Sequence, residues 1–250
     1  MCVVVGTYPG VAMEAEAEHD ATWARIVASP LAGAYITEVH SLATDISERA
    51  ERVLSEAPKP PKDQSYIKVD HRMMADLVAL VNQAARLKAL ITDRAWHKNQ
   101  ESKAQAEIRH RRAAWLRGDL LRGLKIETVL EADVRHSIEH FDEYLDDTAL
   151  AAVDGRLSMP ALIPLDMAVG RRRTLSQPPD GGTKPHVRFL RVYIASEAVF
   201  VNAGREVSIR NLRTECRRIA KRLAPHVPKD DDGERGSSMY VLASESFNRG

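Results

Sequence analysis

Residues 134–147, VRHSIEHFDEYLDD, combine arginine, histidine and carboxylate side chains at helical spacing. Imidazoles titrate near neutral pH and can transfer protons, whereas a guanidinium keeps its charge and can hold a phosphate. On an ideal helical wheel, His136, His140 and Glu143 share one flank, because they are four and three residues apart. The other flank carries Arg135, Glu139 and Asp142. The stretch is therefore a candidate site for proton transfer, although a solvated helix could carry the same residues as ion pairs.

The helix that positions these residues has its own apolar stripe. Val134, Ile138, Phe141 and Leu145 share one face of the wheel, which predicts that this face is buried and that the charged residues flank it. The sequence TVLEADVRHSIEHFDEYLDDTALAAVDG predicts one continuous helix, closed by Gly155.

The preceding part of the chain predicts three further helices. A first long helix has an apolar stripe at spacings of three and four: Ile36, Val39, Ala43, Ile46, Ala50 and Leu54. The stretch from Ser65 to Ala95 repeats this pattern, so a second helix is expected to pack antiparallel to the first. A third helix is expected from about Glu101 to Arg122, closing near Gly123.

The pattern changes after Gly155. RLSMPALIPLDMAVGRRRTLSQPPDGGTKPH has no helical period and is expected to be a long connection. VRFLRVYIASEAVFVNAGREVSI alternates apolar and polar residues around two turn sequences, which predicts a β-hairpin and a third short strand. A last helix is expected to bury four residues on one face: Leu212, Cys216, Ile219 and Leu223.

Composition narrows the classes of protein. The chain has 250 residues, 36 basic and 35 acidic side chains and a net charge of +1, so any basic surface must be local. Two cysteines cannot form a disulfide framework, and no clustered metal ligands or cofactor motif are found, so no cofactor and no metal are expected. No apolar run approaches the length of a membrane helix, which favours a soluble cytoplasmic protein.

Arg135 and His140, separated by four residues, resemble the signature of the HEPN superfamily (higher eukaryotes and prokaryotes nucleotide-binding domain). The wording RHSIEHFDEYLDD is close to the form found in an uncharacterised bacterial branch of it. The resemblance implies a mainly α fold, an antiparallel bundle of four to five helices, here with a small β-hairpin before the last helix. Residues 28–225 would form this domain, with 155–209 as connection and hairpin insertion. Residues 1–27 would be an N-terminal extension, and 226–250 a disordered tail.

The resemblance also implies an activity. Active members are metal-independent endoribonucleases, in which a ribose 2′-hydroxyl attacks the adjacent phosphodiester and leaves a 2′,3′-cyclic phosphate. His140 would act as general base or acid, and Arg135 would stabilise charge on the phosphate oxygens. His136 replaces the asparagine more usual after the arginine and would orient the site or transfer a second proton. Glu139 and Asp142 would support these groups.

The resemblance further implies a homodimer that acts on RNA. Residues five apart lie about 140° round an ideal helix, so Arg135 and His140 of one copy would not converge on one phosphate. Two copies facing one cleft would complete the site. Local basic residues are the candidates for RNA binding: Arg171, Arg172, Arg173 and Arg112.

Three alternatives to a nuclease in a toxin, stress or phage-defence system remain open. The first is a non-catalytic HEPN domain that binds RNA or nucleotide. The second is a helical module that binds and neutralises a partner such as a toxin, and the third is an ordinary helical scaffold. A nuclease in such a system would itself have a cognate antitoxin or regulatory protein as partner.

Overall fold

A computed structural model describes residues 20–62, 64, 66–69, 71–93, 102–131, 134–153, 162–171 and 186–227. The helices are α1 (20–27), α2 (Pro30–Glu56), α3 (His71–Ile91), α4 (Lys103–Trp115), α5 (Val134–Glu139), α6 (Phe141–Val153) and α7 (Ile209–Leu223). The strands are β1 (Tyr66–Lys68), β2 (Leu162–Gly170), β3 (His186–Ile194), β4 (Val199–Asn202) and β5 (Arg205–Ser208). This part of the chain is mostly helical with a small sheet, which confirms the mainly α class.

The chain divides into two compact units. In the part that the structure describes, the first consists of residues 20–40, 89–122 and 222–227, and the second of residues 41–88 and 123–221. The predicted domain of residues 28–225 therefore contributes to both units. Nearly all of the predicted C-terminal tail lies outside the described residues.

In the first unit, α1 contacts α4. The rings of Trp23 and Trp115 meet edge to face with centroids 6.0 Å apart, and Asp20 forms an ion pair with Arg111. Helix α4 begins at a capping box, in which the Ser102 hydroxyl accepts from the N–H of Gln105 and the Gln105 side chain accepts from the N–H of Ser102. A π-helical turn, Leu116–Leu120, follows α4, and the chain enters the second unit at Gly123, which has a φ of +78°. The predicted third helix, closing near Gly123, is confirmed.

In the second unit, α2 and α3 are antiparallel. Asp45 accepts a hydrogen bond from Gln83, and Arg49 pairs with Asp76 at 2.9 Å. The later residue of α2 therefore contacts the earlier residue of α3, as antiparallel packing requires. The predicted second helix is confirmed from His71 onward. The prediction that the helical pattern already begins at Ser65 is wrong, because Tyr66–Lys68 form an edge strand that pairs with the end of β2.

The sheet has the order β1-β2-β3-β4-β5, in which β2 and β3 are parallel and the other pairs are antiparallel. The predicted hairpin and third strand are confirmed as β3, β4 and β5. Ala203 and Gly204 both have positive φ, as a tight two-residue turn between β4 and β5 requires. The expected connection after Gly155 is partly wrong, since β2 forms within it. Pro164 obscures the strand pattern, and the partner strand β3 is distant in sequence.

The predicted fourth helix is wrong in its continuity, because α5 ends at Glu139 and α6 begins at Phe141. Its predicted buried stripe is also partly wrong. Val134 is buried and Phe141 is half-buried, but Leu145 is 39% exposed and the buried Thr148 lies further along α6. Because the helix is interrupted at His140, α6 buries a different face from the one that a helical wheel of one continuous helix predicts.

Helix α7 belongs to the second unit up to Lys221, and its last two residues belong to the first. The predicted core residues Leu212, Cys216, Ile219 and Leu223 are all fully buried, and burial raises the pKa of the Cys216 thiol, which keeps it protonated. Beside them, the buried carboxylate of Glu215 accepts from three consecutive backbone N–H groups, those of residues 127–129, at 2.8 to 3.1 Å. This contact fixes the loop that leads into α5.

Candidate functional site

His140 lies at the junction of α5 and α6. Its carbonyl accepts from the N–H of Tyr144 at 3.2 Å, so His140 occupies the N-cap position of α6. Asp142 and Glu143 stand in the first turn of α6, where carboxylates are favoured by the positive end of the helix dipole. The acidic residues that follow the histidine therefore have a structural reason to be there.

The imidazole of His140 contacts a carboxylate. Its Nδ1 atom lies 2.8 Å from Oε1 of Glu143, and the two side chains are 44% and 70% exposed. This hydrogen bond and the charge of Glu143 raise the pKa of His140, with smaller contributions from the charges of Glu139 and Asp142. The two residues predicted to support the site thus act on His140 electrostatically. Glu143 is the closer partner, and its i,i+3 spacing was the signal in the sequence.

Arg135 and His136 are part of helix α5. The structure describes their backbone but not their side chains. The 140° angle for an unbroken helix does not apply across the junction at His140. The convergence of Arg135 and His140 on one phosphate remains a prediction.

A buried polar contact holds α5 against the sheet. Asn202, on β4, donates from Nδ2 to the hydroxyl of Ser137 at 3.0 Å, and Ser137 donates to the carbonyl of Val134 at 2.6 Å. Asn202 is almost completely buried. No sequence pattern predicts this pair, because the two residues are 65 positions apart and each is an ordinary residue for its own element.

Phe141, the residue after His140, contacts a second pair of oppositely charged side chains. The guanidinium of Arg191 lies 5.0 Å from the ring centroid of Phe141 and forms two hydrogen bonds, of 2.7 and 2.5 Å, with the carboxylate of Asp166. Irregular register in β2 and β3 makes Asp166 and Arg191 direct partners, with Met167 left over at a φ of 50°. Alternation along the strands alone could not have found this pair.

The two predicted RNA-binding arginines that the structure describes, Arg112 and Arg171, belong to different units. In the first unit, Arg112 donates to the carbonyls of Leu90 and Ala89 at the end of α3 and lies over the ring of Tyr35, and burial lowers its pKa. In the second unit, Arg171 donates to the carbonyl of Pro60 at 2.8 Å. Arg172 and Arg173 lie outside the described residues. Arg112 thus has a structural task at the end of a helix, and contact of these arginines with RNA stays a prediction.

No protein-family model, curated protein or solved structure matches the chain. Within the described ranges, no group of three or more histidine, cysteine, aspartate or glutamate side chains is arranged to hold a metal ion. None of the described helices is long and apolar enough to cross a membrane.

Proposed function

We propose that the chain is a metal-independent endoribonuclease of the HEPN type that acts as a homodimer in a toxin, stress or phage-defence system, with a cognate regulatory protein. The observation that carries the proposal is the contact between His140 and Glu143. It joins a titratable imidazole to an orienting carboxylate at an exposed helix junction, within the motif that resembles the family signature. A carboxylate that fixes one ring nitrogen orients the imidazole for proton transfer at the other.

The direction of the pKa shift favours one role for His140. Because Glu143 raises the pKa of His140, a larger fraction of the imidazole is protonated near neutral pH. His140 would therefore donate a proton to the 5′-oxygen as the phosphorus–oxygen bond breaks. His136 would accept the proton of the 2′-hydroxyl as the new bond to phosphorus forms, and Arg135 would stabilise charge on the phosphate oxygens.

The test is single-turnover cleavage of a labelled RNA pool in excess EDTA, with the product ends examined for 2′,3′-cyclic phosphate. His140→Ala and Arg135→Ala should each reduce the rate by about a hundredfold or more, the scale expected for loss of a proton donor or a charge stabiliser. His226→Ala and Arg117→Ala remove the same side-chain types from exposed positions elsewhere and should cleave like the wild type.

Two outcomes would reject the nuclease proposal. If the purified protein cuts no RNA, or if both motif variants cut as fast as the wild type, a non-catalytic binding module takes its place. If chelation abolishes cleavage and a divalent ion restores it, the reaction uses a different active site.

A further inference from the structure

One face of α7 is buried in the core, and the opposite face carries a row of exposed cations. The exposed cations are Arg210, Arg217, Arg218 and Lys221. On an ideal helix these four positions lie within about 100° of each other, so their side chains leave the helix on the same side. We call this surface, which belongs to the second unit, the α7 basic stripe.

The cations of the stripe have no carboxylate partner in the part of the chain that the structure describes. None of the four side chains forms an ion pair or a hydrogen bond there. The one acid of α7, Glu215, is buried and accepts from backbone N–H groups. Other cations of this unit are paired, as Arg213 is with Glu51 at 2.7 Å and Arg49 with Asp76 at 2.9 Å. Unpaired positive charge therefore distinguishes the stripe.

The stability of the helix does not explain the stripe. Arg217 and Lys221 have i,i+4 spacing and like charge, so they repel each other. Arg210 lies in the first turn, where the helix dipole disfavours a cation, whereas the dipole favours Lys221 near the other end. A polyanion bound along the stripe would relieve both repulsions.

The residues around the cations argue against two other partners. A basic helix that binds a membrane surface inserts its apolar face, but the apolar residues of α7 are fully buried in the core. A protein interface is centred on apolar or aromatic anchors. The stripe has only Thr214 between its cations, and the Thr214 hydroxyl donates to the carbonyl of Arg210 at 2.8 Å. A ligand whose whole length is charged fits this surface better.

We propose that the α7 basic stripe binds the phosphate backbone of a nucleic acid strand. From Arg210 to Lys221 the stripe extends about 17 Å along the helix, which is long enough to meet several successive phosphates. Three of its four cations are arginines, whose planar guanidinium groups can donate two parallel hydrogen bonds to one phosphate. The stripe does not use His140 and would hold a strand whether or not the chain cleaves it.

The test is a titration of the full chain with a fluorescently labelled single strand, followed by anisotropy at several salt concentrations. If each cation meets one phosphate, the logarithm of the binding constant should fall with that of the salt concentration with a slope of about −3. Arg217→Gln combined with Lys221→Gln should weaken binding at low salt by about tenfold or more. The same pair of substitutions should flatten the salt slope by about 1.4, because two phosphate contacts are lost.

The matched control is Arg72→Gln combined with Lys62→Gln. It removes one arginine and one lysine from exposed positions of the same unit outside α7, and it should leave both the affinity and the salt slope unchanged. The full chain also contains Asp230, Asp231 and Asp232, so the measured affinity already includes any competition from these carboxylates.

Two strands of the same sequence and length, one of DNA and one of 2′-O-methylated RNA, separate the sources of the backbone. Neither can be cleaved through a 2′-hydroxyl, so failure of the nuclease proposal would leave these titrations unaffected. Tighter binding of the RNA would identify RNA as the ligand, and equal binding would identify a strand of either kind.

Three outcomes would overturn the proposal. The first is absence of saturable binding of either strand, and the second is an equal loss of affinity in the control pair. The third is tighter binding of polyglutamate of equal charge that Arg217→Gln with Lys221→Gln removes, which would assign the stripe to an acidic protein partner.

Discussion

At the scale of single residues, His140 has two tasks that one geometry serves. Its backbone carbonyl starts the hydrogen-bond pattern of α6, and its side chain meets Glu143 in the first turn of the same helix. The N-cap position fixes the backbone of His140, and the carboxylate of Glu143 fixes the Nδ1 atom of its ring. A titratable group is thereby held at a junction that the fold needs in any case.

The pKa of His140 tests this contact directly. Glu143→Gln should lower it toward the usual value of about 6.5, because the largest causes of the rise are the hydrogen bond and charge of Glu143. Histidine resonances followed by NMR through a pH titration will measure the change. Glu131→Gln, at an exposed position before α5, serves as control and should leave that pKa unchanged.

The same shift has a defined effect on stability and rate. The pKa of His140 is raised on folding, so the protonated imidazole stabilises the folded state. This contribution to the free energy of unfolding is fully present below about pH 6.5 and is lost as pH rises through the folded-state pKa. If His140 donates a proton, RNA cleavage should fall over that same range. The fall should begin at lower pH in Glu143→Gln, and an unmoved profile would assign the proton donor to another residue.

Glu215 is the residue on which the loop before α5 depends. Glu215→Ala would leave three backbone N–H groups without their acceptor beside the core face of α7, so we expect the free energy of unfolding to fall by about 3 kcal/mol. Denaturant unfolding will measure it. Arg218→Ala, on the exposed face of the same helix, should change the free energy by less than about 0.5 kcal/mol. Equal effects of the two substitutions would contradict this role for Glu215.

At the scale of elements, hydrophobic periodicity predicted the helices, whose pattern depends on local sequence. It missed the strand and the side-chain contact that depend on a partner elsewhere in the chain. The stripes of α2 and α7 are regular, and their predicted residues lie in the core, with Leu54 only partly covered. Strand β2 was missed because its partner β3 lies across a connection and Pro164 interrupts its pattern. In the candidate site, the sequence identified His140, whereas the Ser137–Asn202 contact exists only because β4 packs against α5.

Two glycines test the backbone of these elements in opposite directions. Gly204 has a φ of +77° in the turn between β4 and β5, with space around it, so Gly204→Ala should destabilise the fold by about 1 kcal/mol through backbone strain alone. Gly118 lies in the helical turn after α4, with no positive φ and nothing within 4 Å of an added Cβ atom. Gly118→Ala should therefore stabilise the protein by about 0.5 to 1 kcal/mol.

Thermal or denaturant unfolding of both variants gives the comparison. The two substitutions add the same methyl group, so a difference in sign isolates the backbone conformation as its cause. Destabilisation by Gly118→Ala, or tolerance of Gly204→Ala, would contradict the turn and helix geometry described above.

At the scale of the whole molecule, a net charge of +1 means that attraction to RNA must come from local surfaces. The proposed chemistry sets a second requirement, because Arg135 and His140 must meet at one phosphate. A second copy of the chain, related by two-fold symmetry, would let Arg135 of one protomer meet His140 of the other.

Mixed dimers test that arrangement. Arg135→Ala and His140→Ala protomers are each expected to be inactive alone, but a mixed dimer would contain one site with both groups intact. An equal, fully exchanged mixture should therefore recover about a quarter of wild-type cleavage, since half of the dimers are mixed and each holds one of two sites. Sedimentation must show dimers for the wild type and both variants. If the dimers exchange and no cleavage returns, each active site is built within one chain, and a wild-type monomer that cleaves RNA would exclude the shared site.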